Sequence, residues 1–182
     1  MDTKVTKCSP PYPQGYEPDY VDPQQYCAYR FGLGKLGNDP LVAICMNPSA
    51  AREESSDKTI NRIIAISKML EKDGWVVFNL YPERATKAWD IKEFNQALSK
   101  NNIKHIREFL INNEITEVLG AWGNDNNISA LKAGKQDLLS MLKEINVKVF
   151  YYGTLTKAKN PRHPLQRYEK VNYIDGKKWL DF

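Results

Sequence analysis

The stretch LVAICMNPSA, residues 41–50, reads as a buried strand that ends at a stiff polar turn. Leu41 to Met46 are continuously apolar, the pattern of a strand covered on both faces. Pro48 fixes its own φ, offers no N–H to a ladder and pushes Asn47 toward extended geometry. A polar amide is therefore held at the mouth of a strand. Taken alone, Asn47-Pro48-Ser49 also reads as an ordinary turn that caps the following segment.

Working outward from this strand, the chain alternates elements. A helix is predicted from about Lys58 to Lys72, with Asp57 or Ser56 as cap and Ile60, Ile63, Ile64 and Leu70 as its apolar face. Gly74 ends it. WVVFNLY (75–81) is a second buried strand. Residues 90–113 read as helix, in one piece or two, opened by Asp90 and Glu93 in capping-box spacing. EVLGAW (117–122) is a third strand, 128–145 a helix, and VKVFYYG (147–153) a fourth strand. VNYIDGKKW (171–179) reads as a closing hairpin around Asp-Gly, and YCAYRFGLGK (26–35) as an added edge strand. Residues 1–38 are rich in Tyr and Pro and read as an extended arm packed on one globular domain, 39–182. The alternation predicts an α/β three-layer sandwich with a mainly parallel four-stranded central sheet.

Composition narrows the class. The chain has 182 residues, 42% hydrophobic and 26% charged, enough for one full core. No apolar run approaches the roughly 20 residues that span a bilayer, and the first residues lack a signal-peptide core, so no membrane partner is expected. Three cysteines, Cys8, Cys27 and Cys45, without C-x-x-C spacing argue against a disulfide framework or metal cluster and suit a cytoplasmic location. No cofactor is expected. The net charge of +4 lies in residues 151–182, which carry seven basic and three acidic side chains. That excess is either a solvated tail or a surface that meets phosphates.

In parallel sheets ligands bind beyond the carboxyl ends of the strands. The four strand-end loops here are MNPSA (46–50), NLYPERAT (79–86), AWGNDN (121–126) and GTLTKAKNPRHPLQR (153–167). All are polar or proline-rich. Their boxes, Asn47-Pro48-Ser49, Phe78-Asn79-Leu80, Ala121-Trp122-Gly123 and Arg162-His163-Pro164-Leu165, stand in the order of four signatures of the uracil-DNA glycosylase superfamily. The chain resembles that superfamily over about residues 30–167. Its wording is also similar to a bacterial group known only as domain of unknown function 1643. Met46 departs from the glycine-led first turn, and Leu165 stands where a second proline is usual in the last loop.

The resemblance implies a uracil-DNA glycosylase-like fold and a monofunctional, metal-free DNA glycosylase. Such an enzyme flips a damaged or modified base out of the duplex and leaves an abasic site. Cleaving an N-glycosidic bond develops an oxocarbenium-like sugar and an anionic base, so a water must be held and donors must meet the base. By resemblance Asn47 positions the water, Pro48 fixes its aim, and His163 donates to the departing base. Asn79 has the amide donors and acceptor that suit a base edge, with Ser49 and Tyr81 as further substrate contacts. Asp57 either caps a helix or stands near the sugar. Lys157, Arg162 and Arg167 would track phosphates, and Pro164 and Leu165 would enter the duplex, Leu165 as a wedge. Arg84 contacts phosphate or pairs with Glu83. His105 is expected on a solvated helix face, and Trp75 and Trp122 in the core. The expected partner is duplex DNA, bound by a monomer acting in repair or in defence against modified viral DNA. Two alternatives keep the same loops: a small-molecule N-glycosidase or nucleotide hydrolase, and an inactive nucleic-acid-binding module.

Overall fold

The structure, a computed structural model, describes residues 9–91, 93–125, 127–165 and 171–182. Within them lie β1 (Tyr20–Asp22), β2 (Gly32–Lys35), β3 (Pro40–Cys45), α1 (Lys58–Met69) and β4 (Gly74–Asn79). α2 (Gln96–Asn112), β5 (Glu117–Gly120), α3 (Ser129–Glu144), β6 (Lys148–Tyr151) and β7 (Lys178–Trp179) follow.

β3 and β4 are buried along their whole length, and successive side chains point to opposite faces. Val42, Ile44, Val76 and Phe78 face α2 and α3, meeting Ile106, Phe109, Leu138 and Leu142. Leu41, Ala43, Cys45, Trp75 and Val77 face the other way, onto Ile60, Ile63 and Ile64 of α1 and Tyr12 of the N-terminal stretch. Continuous apolar runs are thus required because each strand fills two cores.

The expected mainly parallel four-stranded sheet of uracil-DNA glycosylase-like form is not what forms. The sheet has seven strands among the described residues, in the order β1-β2-β4-β3-β5-β6-β7, and it is mixed. β4–β3, β3–β5 and β5–β6 pair in parallel, whereas β1–β2, β2–β4 and β6–β7 are antiparallel. β2 falls within the strand expected over 26–35 but lies between β1 and β4 rather than at the edge, and the added strands have two to four residues. Segments that short carry no readable alternation, and backbone pairing to an open sheet edge is what recruits them.

Other local expectations also change. Part of the Tyr/Pro-rich arm is the edge strand β1, and Tyr12 is buried against Trp75 at a ring separation of 5.9 Å. Asp90 and Glu93 do not cap α2. Ala88–Asp90 is a 3-10 turn, and Asn95 caps the helix by accepting from Leu98 N at 3.0 Å. The buried Ile91 and a bond from Asn95 N to the Tyr81 hydroxyl at 2.9 Å set that start. The closing hairpin is absent. Asn172 holds a turn through Ile174 N and Asp175 N, and only Lys178–Trp179 pairs, with β6. His105 stacks on Phe31 at 4.2 Å and puts Nδ1 2.6 Å from Asp22 Oδ2, rather than lying on a solvated face. Trp75 and Trp122 are in the core. No described helix is long and apolar enough to cross a membrane.

Candidate active site

β3 connects through α1 to β4 on one side, while its other neighbour, β5, connects through α3 to β6 on the far side. Connections diverging in this way open a crevice beyond the carboxyl ends of the strands. A cleft of about 570 Å³ lies there, a size ordinary for a small-molecule or nucleobase site. Asn47, Asn79, Asp57, His163 and Leu165 all line it.

Backbone bonds from Leu80 N to Cys45 O (3.0 Å) and Ala85 N to Pro48 O (2.9 Å) zip the two loops together. Asn47 completes the seam, its Nδ2 donating to Ala85 O at 2.7 Å and to Pro48 O at 3.0 Å. With the amide nitrogen spent, Oδ1 has no partner among the described residues and can accept from a water. Asn79 lies beside Cys45 in the β3–β4 register and is 1% exposed. Its backbone carbonyl is braced by Asn102 Nδ2 at 2.9 Å, but its own Nδ2 is buried without a partner. A buried donor left unmade is costly, and a ligand acceptor relieves it.

Asp57 caps α1, accepting from Ile60 N at 2.9 Å, so the helix N-terminus opens on the cleft with the positive end of its dipole. His163 comes from the distant last loop. That loop rests on the end of β5, where a Cβ on Gly120 would lie 2.7 Å from Pro161 Cγ. Gly123 takes φ +70° with its Cβ position 3.1 Å from His163 Cβ and donates its N–H to Pro161 O at 2.9 Å. Asn160 joins the two loops, its Oδ1 accepting from Trp122 Nε1 (3.3 Å) and Lys135 Nζ (3.2 Å). Burial pushes the His163 pKa below its usual value, with Asp57 opposing. Leu165 N donates to His163 Nδ1 at 3.3 Å, so in the neutral ring the proton sits on Nε2. Cys45 also lines the cleft, but burial pushes its thiol up to about 12, which makes it inert as a nucleophile.

The cleft thus combines an acceptor for water with two neutral donors and a helix N-terminus. Residues 30–165 match the family described as "Protein of unknown function (DUF1643)". The chain belongs to that family. No curated protein and no solved structure matches it. The DUF1643 match begins at Arg30 and ends at Leu165, both of which line the cleft.

The remaining expected residues divide. Ser49 lines the cleft, and Pro48 is buried behind it. Tyr81 does not reach it, being fully buried with its hydroxyl on Asn95. Lys157 is exposed, Leu165 is 39% exposed and Pro164 is half-buried beside it. Arg162 is held by Thr154, its Nε donating to the carbonyl at 2.9 Å. Arg167 lies outside the described residues. Among the described residues no cluster of His, Cys, Asp or Glu could hold a metal ion.

Sequence reasoning missed three residues of this DUF1643 chain. Asn102 and Asn160 brace the strand ends from inside helix and loop. Arg30 lies at a cleft wall and is 2% exposed, with Nη1 on Ala51 O at 2.8 Å and Nε unpartnered. Its place before the Phe31-Gly32-Leu33 run could have raised the question of a buried cation, but nothing local says what it faces.

Proposed function

We propose that this protein is a monofunctional DNA glycosylase that draws one base of duplex DNA into the cleft and hydrolyses its N-glycosidic bond. The observation that carries this reading is the buried, unpartnered Asn79 Nδ2 at a cleft shared with Asn47 and His163. Asn79 reads an acceptor on the flipped base. Asn47 Oδ1 accepts a hydrogen bond from the attacking water, whose oxygen adds to the sugar carbon as the bond to the base breaks and whose proton ends on the released base. His163 Nε2–H and the α1 N-terminus stabilise the electron pair left on the base. These roles follow the likeness of the four strand-end boxes to the uracil-DNA glycosylase superfamily. The exposed Leu165 lines the cleft and acts as wedge, and the exposed Lys157, from the same last loop, acts as backbone contact. The walls around Ser49 are small, comprising Ala50, Ala85, Thr86 and Ala88, and neither Phe78 nor Tyr81 intrudes. A cleft of this kind favours bases substituted at the 5-position, such as modified pyrimidines of viral DNA, with action in the cytoplasm as a monomer.

The test is incubation with duplexes that each carry one different base, followed by hot alkali to cut at abasic sites. Cleavage that depends on the protein and on the base supports the reading. Uncut duplexes across plain and 5-substituted pyrimidines, with binding intact, would leave a DNA-binding module instead.

A further inference from the structure

Beside the cleft lies a second cavity of about 650 Å³, sharing with it the wall Ser49, Ala50, Ala85 and Thr86. Arg84 and Arg52 face this cavity, together with the hydroxyl residues Ser9 and Ser55 and one exposed carboxylate, Glu54. Arg30 lines the neighbouring cleft. Two guanidinium groups converge on one acceptor, Arg30 Nη1 at 2.8 Å and Arg84 Nη1 at 3.2 Å from Ala51 O. The Nε of each is buried with no partner. The Tyr26 ring holds Arg52 and Arg84 side by side, 4.4 and 4.6 Å from its centroid.

Three cations therefore gather around one loop, and among the described residues none is ion-paired to a carboxylate. Asp57, whose charge acts on Arg30, has its Oδ1 committed to the α1 cap. Burial and the neighbouring Arg84 lower the Arg30 pKa to about 10, so it remains a cation at neutral pH. Like charges held this close repel, and an anion supplied from outside lessens that cost. Guanidinium forks flanked by hydroxyls match the geometry of phosphate oxygens.

We infer that the cavity of Arg84 and Arg52 is a phosphate seat, which holds the phosphate attached to the nucleoside lying in the adjacent cleft. Its placement relative to substrate rests on the glycosylase reading, but the seat itself does not. The phosphate comes either from a DNA strand or from a free nucleotide. In both cases the shared wall puts phosphate and base on opposite sides of Ser49 and Thr86.

The experiment measures binding of thymidine, thymidine 5′-monophosphate and a short duplex with an uncleavable abasic-site analogue. Wild type, Arg84→Gln and the exposed Arg52→Gln are compared, with circular dichroism confirming the fold. The expected result is a phosphate-dependent gain that falls about 10–100-fold in each variant, the loss of one charge-assisted bond. If the monophosphate exceeds thymidine and the variants erase the difference, free nucleotide is a source. If only the duplex responds to the variants, the phosphate is that of the DNA backbone. Equal binding by wild type and both variants, for monophosphate and duplex alike, overturns the seat. Base release is scored separately: a chain that discriminates phosphate yet releases no base keeps the seat and loses the glycosylase reading.

Discussion

Asn47 Nδ2 lies 2.7 Å from the carbonyl oxygen of Ala85, so the turn after β3 is bonded to the loop after β4 by the side chain proposed to hold water. One amide does two jobs. Its nitrogen closes the seam between loops, and its oxygen is left for a ligand.

Asn47→Ala should consequently lose base release about 10²–10³-fold, the usual effect of removing one transition-state contact. It should also lose about 1 kcal/mol of stability, because a buried-edge hydrogen bond disappears. Single-turnover rates and urea melts read the two effects. Full activity in a variant with the expected stability loss would make Asn47 a turn residue only.

Asn79→Leu separates function from stability in the opposite sense. The unpartnered Nδ2 costs about 1–3 kcal/mol in the free protein, and an apolar side chain of similar volume removes that cost. The melting temperature should stay level or rise while base release falls by at least about 10²-fold. A strongly destabilised variant would show that Asn79 has a structural partner after all.

The His163 pKa is lowered by burial, so the folded state holds that proton less tightly than the unfolded chain does. Its contribution to stability is then fully present above the ordinary histidine value of about 6.5 and declines as pH falls from there through the lowered folded value. Subtracting the melting curve of His163→Gln from that of wild type across this window should isolate the decline. A difference between the two proteins that does not change with pH contradicts the assignment.

Ser49→Tyr tests the roomy wall. A phenol there projects into space now bordered by Ala50 and Thr86 and should exclude substituents at the 5-position by clash. Wild type should release 5-hydroxymethyl and larger derivatives at least as well as uracil, and Ser49→Tyr should reverse that order. If wild type releases only plain uracil, the small walls have another purpose.

Much of this protein is encoded locally. The apolar runs 41–46 and 75–81 are strands because each must fill a core on both faces, and Asp57 is a cap because its carboxylate reaches Ile60 N three residues on. Asn47, Asn79 and His163 could be picked out at strand ends from turn chemistry and the order of four boxes, and the fold does bring them to one cleft. What local pattern could not decide is whatever depends on distant backbone. β1 and β7 exist because sheet edges were open to pairing, not because their two or three residues alternate, and β2, expected as an edge strand within 26–35, became internal once β1 paired with it. Tyr81 follows the strand that carries Asn79, yet it turns to Asn95 and away from the cleft. Arg30 and Arg84 are separated by more than fifty residues and meet at a single carbonyl oxygen. Periodicity and turn preference act over a few residues, so sequence alone determined the elements and the candidate boxes. Burial of an amide or a guanidinium without its partner is a property of packing, and only the tertiary structure decided it.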